Sequence, residues 1–143
     1  MKKVLSLILV AVLCLSLVAC GGKKPDDNNS APKNDPEVVA YVEEYGDVML
    51  ESMEASFATS SGMTCKSTIE AVGSGIVISI NINELEDVPQ ETKDAMQSAY
   101  DQMNSTFEGL LQQLQQEAPE VTYLKISVCE KDGDVLAVIQ AGK

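Results

Sequence analysis

The chain has 143 residues, and its 22 acidic groups outweigh ten basic ones, all of them lysine, for a net charge of −12. Such a length supports at most one ordinary domain, and the acidic excess without arginine makes a nucleic-acid backbone a poor partner, because phosphate is repelled. Without histidine the chain lacks the usual general base near neutral pH and the commonest metal ligand, which excludes triad and zinc-hydrolase chemistry built on imidazole.

Lys2 and Lys3 precede an apolar run, Val4 to Ala19, broken only by Ser6, Cys14 and Ser16. A membrane-spanning helix needs about 20 apolar residues, so a secretory signal over residues 1–19 fits better. The run closes on Leu17-Val18-Ala19-Cys20, which looks like a bacterial lipobox. That resemblance implies an acylated thiol at Cys20, cleavage just before it, and a lipid-anchored protein on the extracytoplasmic face of the cell membrane. A simple signal peptide or an uncleaved anchor is the alternative. Cleavage removes two lysines and no acid, leaving 124 residues with a net charge of −14. An anionic lipid surface repels such a body, so the membrane contact is the acyl group and not a basic patch. Residues 20–35, the lipidated cysteine and GGKKPDDNNSAPKND, hold almost nothing that could be buried and read as a flexible tether, with a reach on the order of 20 Å.

The folded domain is expected over residues 36–143. Asn34-Asp35-Pro36-Glu37 offers an Asn N-cap and Pro in the first turn, opening a helix to about Phe57. Its stripe is Val38, Tyr41, Val42, Tyr45, Val48, Met49, Met53 and Phe57. Met63 to Val72 alternates, and after Gly73-Ser74-Gly75 the isoleucines 76, 78, 80 and 82 alternate with Val77, Ser79, Asn81 and Asn83, the pattern of a hairpin. Asp87-Val88-Pro89-Gln90 opens a second helix with the stripe Met96, Ala99, Tyr100, Met103, Phe107, Leu110, Leu111 and Leu114, ending at Ala118-Pro119. It would be about 42 Å long by helical rise, so it bends at Gly109 or overhangs the sheet. Val121 to Glu130 and Val135 to Gln140 flank an Asp-Gly turn, a second hairpin. The expected fold is therefore α+β: a two-layer α-β-β-α-β-β sandwich, its four-stranded sheet antiparallel and both helices on one face.

Cys65 and Cys129 remain once Cys14 and Cys20 are set aside. They either form a disulfide joining the hairpins or stay as two thiols, since Cys65 lies on the apolar side of its strand and Cys129 off the Leu124, Ile126, Val128 side of its own. A catalytic thiol is disfavoured because no histidine deprotonates either one. Glu130, Asp132 and Asp134 around Gly133 resemble part of a calcium loop but lack its closing ligand, and a hairpin turn explains them without metal. Glu84, Glu86 and Asp87 read as a solvated loop before a helix. No catalytic or metal residue and no cofactor is assigned.

The lipobox, the polar tether, and the segments GMTCKSTIEAVGSGIVISI and EVTYLKISVCEKDGDVLAVI together resemble a family of small lipoproteins of Gram-positive bacteria known only as a domain of unknown function. The resemblance implies no activity and transfers no site residues. The expectation is a non-enzymatic binding or interaction module of the cell envelope, whose protein, peptide or wall ligand is unknown and whose contact is the uncovered sheet face or a helix edge. The alternative is a small enzyme acting on cell wall or glycan through paired carboxylates.

Overall fold

The computed structural model describes residues 33–143. The signal segment, the lipobox with Cys20 and the tether up to residue 32 lie outside the described residues.

The first helix, α1, spans Pro36–Ser61. Its N-cap is Asp35 rather than Asn34: the Asp35 carboxylate accepts from the Glu37 N–H at 3.0 Å. Asn34 instead accepts from the Gly73 N–H at 3.0 Å, and the Asp35 N–H donates to the Gly73 carbonyl at 2.7 Å. The helix runs past Phe57, because the hydroxyls of Ser60 and Ser61 both fold back onto the Phe57 carbonyl instead of competing for a turn. Gly62 ends it in the left-handed region, φ 70°, where a side chain would be strained.

Strands β1 (Cys65–Val72) and β2 (Gly75–Ile82) form the first hairpin, and β3 (Tyr123–Glu130) and β4 (Val135–Gly142) the second. Each hairpin is antiparallel, but β2 and β3 pair in parallel, Gly75 opposite Tyr123 and Ile82 opposite Glu130, in a sheet of order β1-β2-β3-β4. The expected purely antiparallel sheet is therefore wrong. The helical segment between the hairpins carries the chain back along the sheet, so β3 starts at the end where β2 started, as any crossover connection of this length permits. Period-2 alternation shows which side chains share a face and says nothing of strand direction.

One face of the sheet carries the rows Ala71-Ile76-Leu124-Ala141, Ile69-Ile78-Ile126-Ile139 and Ser67-Ile80-Val128-Ala137. Ile76 and Ile78 have no exposed surface and form one core with Val38, Met53, Phe57, Tyr100, Phe107, Leu110 and Leu114 from the helices. Each fully buried isoleucine contributes about 1.5–3 kcal/mol. A bulge at Val128 and Cys129 shifts the β4 register, so that Leu136 and Ala137, neighbours in sequence, are both buried. Across the open face, the Tyr123 ring lies where a Cβ on Gly75 would be, within 2.2 Å, and its hydroxyl donates to the Val72 carbonyl at 2.7 Å. Only glycine leaves room for that ring.

The second helix is two helices, α2 (Gln90–Asp101) and α3 (Asn104–Glu117), so the domain has three helices where two were expected. The chain turns at Gln102 and Met103, not at Gly109, which sits inside α3 with open space beside it. The Met103 N–H donates to Tyr100 O at 2.9 Å, one residue short of α-helical spacing. This turn sets α2 against β4 while α3 lies across β4 and β3. The outer edge of β4 is closed by Gln97 of α2. Its side-chain amide accepts from the Val138 N–H and donates to the Val138 carbonyl, both at 2.8 Å, so a side chain stands where a fifth strand would pair.

Two outcomes follow for stability in urea. Gln97→Ala removes both edge hydrogen bonds and is expected to lower unfolding free energy by about 1–3 kcal/mol and to produce a concentration-dependent dimer on size-exclusion chromatography through the freed β4 edge. Tyr100 is 2% exposed and its hydroxyl finds no partner, so Tyr100→Phe is expected to leave stability unchanged or raise it by about 1 kcal/mol; a fall of that size would show that the hydroxyl is satisfied.

Candidate binding surfaces

The sheet face away from the core carries the rows Lys66-Asn81-Cys129, Thr68-Ser79-Ser127 and Glu70-Val77-Lys125. Alternation in the hairpins puts hydroxyl, amide and ammonium groups here at strand spacing, about 4.8 Å apart across strands. The face is most open at β1, where Lys66, Thr68 and Glu70 are exposed, and least open at Ser127 and Cys129, which are buried. Its charge differs from that of the helix layer, since Lys66 and Lys125 lie here beside a single acid, Glu70, in a strongly acidic chain. No large apolar patch covers it.

Cys65 and Cys129 are free thiols. Cys65 shares a row with Ile82 and Glu130 on the core side, whereas Cys129 pairs with Asn81 on the other side. They are two strands apart on opposite faces, beyond the roughly 7 Å that a disulfide spans between Cα atoms. Burial pushes both thiols above their ordinary pKa, which keeps them protonated and poorly nucleophilic.

The turn acids also separate. Glu130 is buried, on the row parity of Leu124, Ile126 and Val128, and not a solvated turn residue. Its Oε1 accepts from Lys93 Nζ at 2.6 Å and from the Val88 N–H at 3.1 Å, while Asp134 stays exposed, 3.8 Å from the same ammonium. The hydrogen bond to Glu130 holds the Lys93 ammonium above the usual lysine range against a smaller opposing effect of burial. The group is thus an internal tie between α2 and the second hairpin. Among the described residues no cluster of cysteines and carboxylates is arranged to hold a metal ion. At the opposite hairpin, Glu84 accepts from the Thr64 N–H and hydroxyl at 2.8–3.0 Å, which lowers its pKa and makes it a strand clamp.

Two carboxyls do meet. Glu37, in the first turn of α1, hydrogen-bonds Glu120, just before β3, and that bond together with their mutual repulsion raises the Glu37 pKa. Glycoside hydrolysis needs carboxyls about 5–9.5 Å apart with a sugar between them. Glu37 is exposed at the start of α1. Beside them the rings of Tyr41 and Tyr45 pack 5.0 Å apart, tilted by 48°. Tyr41 is raised in pKa by burial and then by the charge of Glu117; Tyr45 is raised mainly by its hydrogen bond with Glu44. Sequence periodicity assigns both tyrosines to the core stripe, but they are only half-buried on its flank, toward the end of α3.

A small α+β domain of layered helices on a mixed sheet, without a metal cluster among its described residues, is the class that this geometry defines. Residues 38–140 match the family described as Domain of unknown function (DUF4854), and the chain belongs to it. No curated protein and no solved structure matches the chain. Among the described residues no helix is long and apolar enough to cross a membrane.

Alkylation without reductant, read by mass spectrometry of the denatured protein, is expected to label Cys65 and Cys129 fully. A species lacking both labels until reductant is added would contradict the strand register.

Proposed function

We propose that the chain is an extracytoplasmic lipoprotein of a Gram-positive envelope, held at the membrane by an acylated Cys20, and that its domain is a non-enzymatic binding module. The anchor rests on the sequence Leu17-Val18-Ala19-Cys20 behind Lys2, Lys3 and a short apolar run. The single observation that supports a binding role is the layering. All three helices contribute to one core on one side of the sheet, and the other side presents rows of hydroxyl, amide and lysine side chains. Such a surface offers hydrogen bonds at fixed spacing to a peptide or wall polymer, and its orderly rows cost no further ordering on binding.

Crosslinking in the native cells tests this reading. The anchored protein is expected to capture a defined partner that an untethered Cys20→Ser form captures less, and Cys20→Ser is expected to lose a fatty-acid label. Capture of nothing above the untethered control would refute the binding module, and retained label on Cys20→Ser would refute the anchor.

A further inference from the structure

We propose that the open face of the sheet is an interface between two copies of this chain, which meet face to face about a twofold axis running along β2. The inference rests on the reading of that face as the module's contact surface and names one partner for it.

Opposite charges stand symmetrically about β2. Glu70 of β1 and Lys125 of β3 lie at the same height along the sheet, one strand to either side of Val77. Glu70 is exposed and Lys125 half-buried, and neither takes part in an ion pair among the described residues. A twofold axis along β2 lays β1 of each copy over β3 of the other. Glu70 then meets the second copy's Lys125, and Lys125 meets its Glu70, the self-complementarity that a twofold interface requires. The same operation sets Ser79 and Asn81 each against itself and Thr68 against Ser127, hydroxyls and amides that both donate and accept. Val77 also meets its own copy, and Lys66 falls over Cys129, clear of the second Lys66. At the end of the face the Tyr123 ring lies over Gly75, on the axis, so that the two copies' rings pack together.

Other axes fit less well. An axis along β3 sets Lys125 against itself, and one between β2 and β3 sets Glu70 against Gln140 and Lys125 against Val77, pairing no charge. An axis across the strands at Thr68 pairs Lys66 with Glu70, but it places Lys125 over the buried Cys129 and carries both Tyr123 rings past the end of the other sheet. The axis along β2 also keeps the strands of the two sheets aligned, as face-to-face sheets prefer. Three overlapped strands of eight residues cover roughly 26 Å by 14 Å. That is well below the about 800 Å² per partner of a standard interface, so the pair is reversible and forms where copies are concentrated.

Sedimentation velocity of the full chain at low ionic strength, from about 10 μM to about 1 mM, tests the pairing, with mild detergent to cover the apolar run of residues 4–19. A monomer–dimer equilibrium is expected. Glu70→Lys alone and Lys125→Glu alone are each expected to weaken it about tenfold, because each sets like charges opposite one another. An equal mixture of the two variants is expected to pair as well as the unaltered chain, since the extra lysines of one meet the extra acids of the other. Glu70→Lys also lowers the net negative charge, so its weakening cannot come from diffuse repulsion. Lys131→Glu, in the turn and off the face, is expected to change the equilibrium less than twofold. Should Lys125→Glu fail to fold, weakening by Glu70→Lys but not by Lys66→Glu decides for the axis along β2. Weakening by Lys66→Glu and not by Lys125→Glu would overturn the proposal, as would a mixture no better than its parts, self-association indifferent to these charges, or a chain that stays monomeric throughout. A monomeric chain that still captures another partner by crosslinking in its native cells would remove the self-pairing and leave the binding module standing.

Discussion

The parallel pairing of β2 with β3 is the constraint from which the rest of the domain follows. Two parallel neighbours cannot be joined by a turn, so residues 83–122 must cross the sheet, and they do so as α2 and α3. Once those helices lie over β3 and β4, α1 has only β1 and part of β2 left to cover. Gly46 of α1 sits so close that a Cβ there would be 2.9 Å from the Ile69 side chain. Among the described residues, all three helices then lie on one side of the sheet.

Much of this was legible in the residues. The isoleucines 76 to 82 named the core face of β2, the Gly73 and Asp-Gly turns named both hairpins, and the stripe of α1 named Val38, Met49, Met53 and Phe57 as buried but wrongly included Val48, which is exposed. What was not legible has particular causes. Strand direction leaves no trace in an alternating pattern, so the mixed sheet was misread. The break at Gln102 and Met103 contains neither glycine nor proline; it is imposed by the need to lay α2 along β4 and α3 across it, a tertiary demand that local sequence does not record. Glu130 was read among the turn acids, although its even-numbered position already placed it with Leu124, Ile126 and Val128. The half-buried position of Tyr41 and Tyr45 was hidden because periodicity groups flank with core.

Polar contacts in this domain work mainly as seals. Gln97 satisfies one backbone position on the rim of β4, and Glu54 of α1 accepts from the Ser67 N–H on the rim of β1, so both outer strands meet side chains where they would otherwise invite another strand. The Glu130 and Lys93 pair serves the same end inside the fold, since a buried carboxylate without its ammonium would be costly. The acid-rich helices and the mixed, lysine-bearing sheet face then divide the surface electrically, and a partner approaching from one side meets a different potential from one approaching from the other.

The hold of Asn34 and Asp35 on Gly73 also fixes where the chain enters the domain. The chain enters at the Gly73 end of the sheet, beside the starts of β2 and β3, whereas the turn at residues 131–134 lies at the far end of the strands. The entry point and that turn are therefore opposite poles of the domain. Eight-residue strands rise about 26 Å at 3.3 Å per residue, so the Lys131 to Asp134 turn stands about one strand length from the entry point. A partner gripping that turn therefore acts on the domain from the pole opposite to the one where the chain comes in.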